Sequence, residues 1–307
     1  MATVADHSIN VRAEVAWELP EDRPFHRRAW RLAKENPVGA VALLVVVAFV
    51  VLGIIGPSIA PYDPGGLDRN ARYLGPSAEH PFGTNQLGRD VFSRIIAGTR
   101  ISLIFGILIL FLGFIPGTTM GILSGYFGRW VDYLIQRSSE AWTAFPQLPL
   151  LLTFVAAFGP GLKPVVAVIA IGALFSGSRI MRVVALVERH KEYVTAARST
   201  GATEARILLR HVLPNIMPFI LVGVSSVFAI AVLAEAALSF LGLGVAPSEP
   251  GWGIDLRDGL ESGSRYPHLV IFPGMAISLV VLAFNLLGDT LRDILDPRLR
   301  GSTGARR

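Results

Sequence analysis

The sequence predicts an all-helical integral membrane protein. Hydrophobic residues make up 52% of its 307 residues and charged residues only 17%, whereas soluble domains usually carry about 25% charged residues. Several uncharged runs also reach the roughly 20 residues with which a helix crosses a hydrocarbon layer of about 30 Å. The chain contains no cysteine, which excludes disulfides and thiol chemistry.

Six apolar runs are predicted to span the membrane. The fourth is the shortest, with 15 residues before Arg179, and it spans only if its helix continues past Arg179 and Arg182, whose long side chains can reach the headgroups. The fifth run continues beyond its core through Glu235 to Val245. The predicted spans are Val38–Ala60, Ile101–Gly125, Ala141–Leu162, Pro164–Ser178, Val212–Ala234 and Pro267–Gly288.

The distribution of basic residues predicts the orientation of these spans. With the N-terminus inside, 20 of the 28 Lys and Arg residues lie in inside segments and eight in outside segments, which is the bias that cytoplasmic loops show. Both termini are therefore predicted to be cytoplasmic. The predicted organisation is a cytoplasmic N-terminal tail (1–36), a first span with an extracytoplasmic loop (37–100), a five-helix core (101–288) that contains a cytoplasmic loop (188–214), and a cytoplasmic C-terminal tail (289–307).

The loop at 188–214, called the knob below, has the pattern of a short helix, a turn and a second helix. Glu192 to Thr200 is predicted to be helical, and Gly201 is predicted to end that helix in a left-handed conformation. Thr203 is the expected N-cap of the second helix, which Pro214 is expected to end or kink at the membrane. These features fit a compact docking element, and the residues taken alone also fit a solvated loop whose arginines serve only topology.

Polar residues in the last two runs mark candidate gate or pathway positions. Glu235 is a carboxylate at bilayer depth, which costs about 2.5–3.5 kcal/mol on insertion scales and has to face protein, water or a partner. It is expected either to belong to a gate or to act as a structural hydrogen-bond acceptor near a helix end. Ser239 and Asn285 are the other gate or pathway candidates. Outside these runs, the loop His80–Arg94 is expected either to contact a partner on the outside or to cap the second helix with Asp90. Trp252 is expected to anchor the chain at the membrane interface, with a substrate platform as the alternative.

The sequence lacks the motifs of catalysis. It has no GxxxxGK(S/T) loop for nucleotide phosphates, no HExxH pair or cysteine cluster for a metal, and no serine–histidine–carboxylate set at membrane depth. The chain is therefore predicted not to be an enzyme and to bind no metal, cofactor or nucleic acid itself. Energy for any transport then comes from outside the chain. The competing class is a secondary transporter or channel driven by an ion gradient, which usually carries ionisable residues at the midplane.

Motifs along the chain carry a resemblance to a known family. In the knob the pattern is Ala196-Ala197, Gly201 four residues on, and Leu213-Pro214, which resembles the EAA loop of ATP-binding cassette (ABC) importer permeases, with Thr195 in place of the glutamate that names the motif. From about Trp30 to Arg300 the chain looks like the second permease subunit of dipeptide, oligopeptide and nickel importers, with Asn85 in place of an expected aspartate. The stretches concerned read WRLAKENPVGAVALL, APYDP, HPFGTNQLGRDVFSRIIAGTRISL, GYFGRWVDYLIQR, AFPQLPLLL, LSFLGLGVAPSEPGWG and NLLGDTLRDILDPRLR.

The resemblance implies the six-helix type I ABC importer permease fold in the cytoplasmic (inner) membrane of a prokaryote, with lipid bilayer around it. It implies a heterodimer with a second permease subunit, two cytoplasmic ATPase subunits that hold ATP and Mg, and an extracytoplasmic substrate-binding protein. Short peptides are the implied cargo, with nickel chelates, opines or oligosaccharides as alternatives. The residues implied to contact the ATPase are Tyr193, Ala196, Ala197, Arg198, Gly201, Ala202, Leu213 and Pro214.

Overall fold

A computed structural model of the chain describes residues 34, 36–246 and 248–295. Most of the predicted N-terminal tail and the end of the predicted C-terminal tail lie outside the described residues. Regular structure in the described part is helical, apart from one isolated β-bridge between Thr84 and Asp90. The α-helices are α1 (Pro37–Ile59), α2 (Val91–Ile109), α3 (Ile115–Phe127), α4 (Arg129–Thr143), α5 (Gln147–Phe158), α6 (Leu162–Glu188), α7 (Glu192–Ser199), α8 (Glu204–Ile207), α9 (Leu213–Phe240), α10 (Trp252–Glu261) and α11 (His268–Leu295).

Five helical rods among the described residues are long and apolar enough to cross a membrane. A sixth crossing exists when α4 and α5, which are bent by 77° relative to each other, are counted as one broken span. With that pair the number of spans is the predicted six, and the all-helical membrane fold is confirmed. The five rods are Pro37–Ile59, Val91–Phe127, Leu162–Glu188, Glu204–Phe240 and His268–Leu295.

The third span differs from the continuous run predicted at Ala141–Leu162. Its first helix begins at Arg129 and ends at Thr143, and the second begins only after Pro146. Pro146 has extended backbone, with φ −62° and ψ 127°, and a proline disfavours the helical conformation of the residue before it, here Phe145. The predicted bounds of the third span are therefore wrong, because the helical pair begins at Arg129 and ends at Phe158, and Leu162 already begins α6.

The second span begins ten residues before its predicted start. The Asp90 carboxylate accepts a hydrogen bond from the backbone N–H of Ser93 at 2.7 Å, so the predicted cap is confirmed and the helix starts at Val91. Arg94 lies inside this first stretch, and its guanidinium donates to the Asp255 carboxylate at 2.6 Å. The first turn of this helix therefore carries a charge that is paired inside the protein.

The fourth span confirms the prediction that its helix runs past Arg179 and Arg182, because α6 ends only at Glu188. Both arginines are held by the neighbouring α4. Arg182 donates to the Asp132 carboxylate, with 2.6 Å between Nη2 and Oδ2, and Arg179 Nη2 donates to the Thr143 hydroxyl at 3.0 Å. The two helices are therefore joined by polar contacts along the side that carries the arginines.

Two π-helical turns carry long rods past prolines. The turn Leu110–Phe114 precedes Pro116, and the turn Leu208–Val212 precedes Pro214. A π turn adds one residue to the helix and so accommodates a proline that cannot donate a backbone hydrogen bond. The rod Glu204–Phe240 consequently continues through this point, and the expectation that Pro214 ends the helix is wrong.

Four glycines bring α3 against α6. They recur at every fourth residue, three in α3 and one in the π turn before it, and so share one helix face. A Cβ placed on any of them would lie 2.2–2.5 Å from a carbonyl oxygen of α6, so the two backbones approach each other directly through the missing side chains. The facing pairs are Gly113–Ala170, Gly117–Leu174, Gly121–Ser178 and Gly125–Arg182.

An aromatic cluster fills the core between α1, α2, α9, α10 and α11. Phe49, Phe228, Phe284 and Trp252 are buried together there. Trp252 is only 2% exposed, and its Nε1–H donates to the Ile95 carbonyl at 2.9 Å. The prediction that Trp252 anchors the chain at the membrane interface is therefore wrong, because the indole lies inside the helix bundle.

The end of the bundle opposite the knob is fastened by one buried arginine. Besides its bond to Asp255, the Arg94 guanidinium donates to the carbonyls of Pro64 and Glu249, each at 3.0 Å. It therefore joins α2, α10 and the segments that follow α1 and α9. Burial raises the pKa of the Asp255 carboxyl to about 6, since desolvation of the ionised form outweighs the attraction of Arg94.

Candidate functional site

The knob has the predicted backbone. Helix α7 covers the predicted stretch, and Gly201 follows it with a left-handed φ of 78°. The Ala202 N–H donates to the Ala197 carbonyl at 3.1 Å, which closes the turn. The Thr203 side chain then accepts from the Arg206 N–H at 3.4 Å and caps α8. The helix, the left-handed glycine and the N-cap are all confirmed.

The apolar side of the knob is buried against the ends of the spans. Val194, Ile207 and Val212 are fully buried, and they belong to one core cluster with Met181 of α6 and Tyr126 of α3. Each of these aliphatic side chains loses its whole surface to protein, which stabilises the knob by about 1.5–3 kcal/mol per side chain. The knob is therefore a packed extension of the helix bundle.

Polar contacts tie the knob to the end of α3. Arg198 donates through Nε and Nη2 to the two carboxylate oxygens of Glu204, at 2.9 and 3.1 Å. The Tyr126 hydroxyl donates to the same carboxylate at 2.5 Å. Arg189, at the end of α6, donates to the Tyr126 carbonyl at 2.9 Å. One glutamate thus connects the first helix of the knob, its second helix and the second span.

A second carboxylate holds the entry into the knob. Glu188 accepts from the Tyr193 hydroxyl at 2.8 Å and pairs with Lys191, also at 2.8 Å. Burial, and then the bond to Glu188, raise the pKa of the Tyr193 phenol, so this hydroxyl stays protonated and remains a donor. Side-chain contacts of Glu188 therefore hold the connection between α6 and α7 in place, in addition to the covalent backbone.

An open concavity of about 610 Å³ lies on the exposed side of the knob. Five of the eight residues predicted to contact a partner line it, and Arg198, Leu213 and Pro214 do not. Of the described residues that line it, three are basic and none is acidic, while the alanines and glycine leave room for close approach. The lining residues are Tyr193, Ala196, Ala197, Thr200, Gly201, Ala202, Arg206, Arg210 and His211.

The gate or pathway candidates fall into two places. Glu235 is 2% exposed and accepts from Ser239 at 2.8 Å and from Ser102 of α2 at 2.9 Å. This geometry is that of a structural hydrogen-bond acceptor between α2 and α9. Asn285 lies apart on α11, exposed, and donates to the Val281 carbonyl at 2.9 Å. The structure therefore joins two of the three candidates.

Sequence reasoning missed several residues that position these sites. Ser102 gives no signal, because a single serine in an apolar run can always bond its own helix. The spacing of Gly113, Gly117, Gly121 and Gly125 was a readable signal for close helix packing. The Arg94–Asp255 pair lies 161 residues apart in sequence, and only the fold brings its members together.

Among the described residues, six helical spans, with α4 and α5 counted as one, carry a packed knob at one end and the contacts of Arg94 at the other. Within the described residues no group of three or more histidine or carboxylate side chains could hold a metal. Residues 117–301 match the family described as binding-protein-dependent transport system inner membrane component, and residues 24–76 match the N-terminal transmembrane domain of oligopeptide transport permease C. The chain belongs to this family of inner-membrane components, the permeases of ABC importers, as the resemblance implied.

Relatives match along nearly the whole chain. The dipeptide transport system permease protein DppC of Alkalihalophilus pseudofirmus is 39% identical over 285 residues, covering 92% of this chain and 94% of the relative. The glutathione transport system permease protein GsiD of Pectobacterium atrosepticum is 41% identical over 275 residues, covering 89% and 91%. GsiD of Escherichia coli O157:H7 is 40% identical over 279 residues, covering 91% and 92%. The chain is thus similar to permease subunits over their full architecture.

Proposed function

We propose that the chain is one of two permease subunits of an ATP-driven importer and forms half of a translocation pathway for short peptides. The relatives are named for dipeptide and glutathione transport, and both cargoes carry amide bonds and carboxylates. A family whose members depend on a binding protein supports a substrate-binding protein on one side of the membrane. In this proposal ATP and Mg are bound by two partner ATPase subunits and not by this chain.

The single observation that carries the coupling role is the attachment of the knob to three spans. It continues α6 at one end and α9 at the other, and the Glu204 carboxylate ties it to Tyr126 of the second span. The glycine contacts lock α3 to α6 along their length. A push on the exposed side of the knob would therefore move three spans together instead of bending a loop.

The charge distribution supports the cytoplasmic placement of the knob. Basic residues are concentrated in the segments on its side, with 20 of 28 Lys and Arg residues when both termini are assigned there. The concavity itself is lined by Arg206, Arg210 and His211. Its complement is a partner surface with carboxylates around an apolar centre, and we assign that surface to the ATPase.

Gly201→Val tests the coupling role. A β-branched residue resists a left-handed φ and costs about 1–2 kcal/mol at this position, which would distort the turn that presents α7. We expect the complex, purified through a tag on this chain, to assemble and hydrolyse ATP while ATP-driven dipeptide uptake in proteoliposomes falls at least tenfold. The role in coupling is wrong if the variant transports like the wild type.

Gly263→Val is the matched control. Gly263 also has a left-handed φ, 80°, with no atom within 4 Å of an added Cβ, and it lies at the opposite end of the bundle from the knob. A similar loss of uptake in both variants would show general strain and not a defect of the knob.

Uptake by the chain alone, driven by an ion gradient without ATPase subunits, would support a secondary transporter and refute the proposal as a whole.

A further inference from the structure

The break between α4 and α5 leaves a notch over α6. Its floor is Gly172, where a Cβ would lie 3.5 Å from Gln147 Nε2 and 4.0 Å from Trp142 Nε1. One side-chain nitrogen from each side of the break therefore lies close to the same glycine. The Trp142 ring is held from behind by Phe175, with 6.0 Å between ring centroids.

These two donors lack acceptors within the described part of the chain. Neither the Gln147 amide nor the Trp142 indole N–H forms a hydrogen bond with a described residue, and Gln147 is exposed. The neighbouring polar groups are satisfied, because Thr143 donates to the Ser139 carbonyl and accepts from Arg179. The notch therefore contains two hydrogen-bond donors that are unpaired within the described residues.

The notch lies at the break of a candidate membrane crossing, between the two helices of the bent pair α4 and α5. Gly172 lies within the neighbouring crossing, ten residues or about 15 Å of helix after Leu162, the first residue of α6. Unpaired donors and a broken backbone are tolerated within a membrane only where they face other protein or a water-filled cavity. An interrupted membrane helix is also a common way to build a transport site.

We propose that this notch faces the translocation pathway and binds a carbonyl oxygen of the transported peptide through the N–H groups of Trp142 and Gln147. Two uncharged donors recognise the peptide main chain and not a particular side chain, which suits an importer of varied short peptides. The proposal rests on the proposed function and adds a contact for its cargo. The absence of a side chain at Gly172 provides the room that the carbonyl occupies.

Thiol labelling tests whether the notch faces water. The chain has no cysteine, so Gln147→Cys introduces its single thiol, and a charged methanethiosulfonate reagent is applied to the assembled complex in lipid vesicles. The control is Leu152→Cys, a side chain 52% exposed that lies about 140° around the same helix. We expect labelling at position 147 to be at least tenfold faster than at 152, and slower with alanyl-alanine and ATP present. Equal rates would overturn the proposal.

Removing the donors tests the contact itself. Trp142→Phe keeps a ring against Phe175 and deletes one N–H, and Gln147→Leu keeps the approximate size and deletes the amide. Loss of one such hydrogen bond predicts a fall of about two- to tenfold in alanyl-alanine uptake for each variant, with normal amounts of assembled complex and no change for Leu152→Met. Unchanged uptake in both variants would contradict a cargo contact.

These outcomes separate the two proposals. If the wild-type complex takes up peptide with ATP but the thiol at position 147 is inaccessible, the notch is not part of the pathway while the importer function stands. If the wild-type complex shows no ATP-dependent uptake, the proposed function fails, and labelling at 147 still decides whether the notch opens to water.

Discussion

Replacing Gly121 by alanine tests whether direct contact between α3 and α6 holds the bundle together. Gly121 lies in the middle of the glycine face, opposite the Ser178 carbonyl. The substitution adds a single methyl group and otherwise favours the helical conformation. Its effect on stability therefore measures the closeness of the two backbones.

The size of the effect follows from the distances. The added Cβ would lie 2.4 Å from the Ser178 carbonyl oxygen and 2.9 Å from the Met181 Cβ, whereas a carbon–oxygen contact is comfortable at about 3.3 Å. The helices must therefore separate locally by about 1 Å. Overpacking of this kind costs about 1–3 kcal/mol, and the higher helix propensity of alanine returns about 1 kcal/mol. The expected net effect is a loss of stability of up to about 2 kcal/mol.

Gly177→Ala is the matched control, because Gly177 lies in α6 and an added Cβ there would have its nearest neighbour, Phe114 Cδ2, at 3.7 Å. The same substitution in the same helix pair then has no clash, and only the gain in propensity remains. We expect the midpoint of thermal unfolding of the tag-purified complex in detergent to fall for Gly121→Ala and to hold or rise for Gly177→Ala. A rise in both variants would refute the packing argument.

Three further predictions concern polar groups. Because burial raises the pKa of Asp255 from 3.8 to about 6, the folded protein holds this proton more tightly than the unfolded chain, so its contribution to stability falls as pH rises from about 4 to about 6. Asp255→Asn should therefore reduce the fall of the melting temperature with pH over this range. An unchanged fall would contradict a raised pKa of Asp255. Tyr126→Phe removes the hydroxyl bonded to Glu204 and should lower peptide uptake per ATP hydrolysed, whereas Tyr73→Phe on the opposite end should not. Glu235→Gln can accept through one oxygen only and should cost about 1–3 kcal/mol in unfolding experiments; full stability would show that the serine bonds are dispensable.

Local patterns predicted those parts of the fold that local physics controls. The turn at Gly201 and the caps at Thr203 and Asp90 were correct because each depends on a residue and its immediate neighbours. The bounds of the third span were misjudged because an uncharged run does not report that the helical pair begins in the charged stretch at Arg129. Trp252 was misplaced because its indole is equally suited to an interface or a core.

The sequence by itself determined that the chain is all-helical and crosses a membrane several times, and that a small folded element lies between the fourth and fifth predicted spans, since length, apolarity and turn residues act over short distances. Only the tertiary structure decided which groups meet over longer distances: Glu204 with Tyr126, Arg94 with Asp255, the glycines of α3 with the carbonyls of α6, and the two side-chain nitrogens close to Gly172. Such contacts depend on how helices pack and where they break, and the hydrophobic periodicity of one helix does not identify the residues of the helix packed against it.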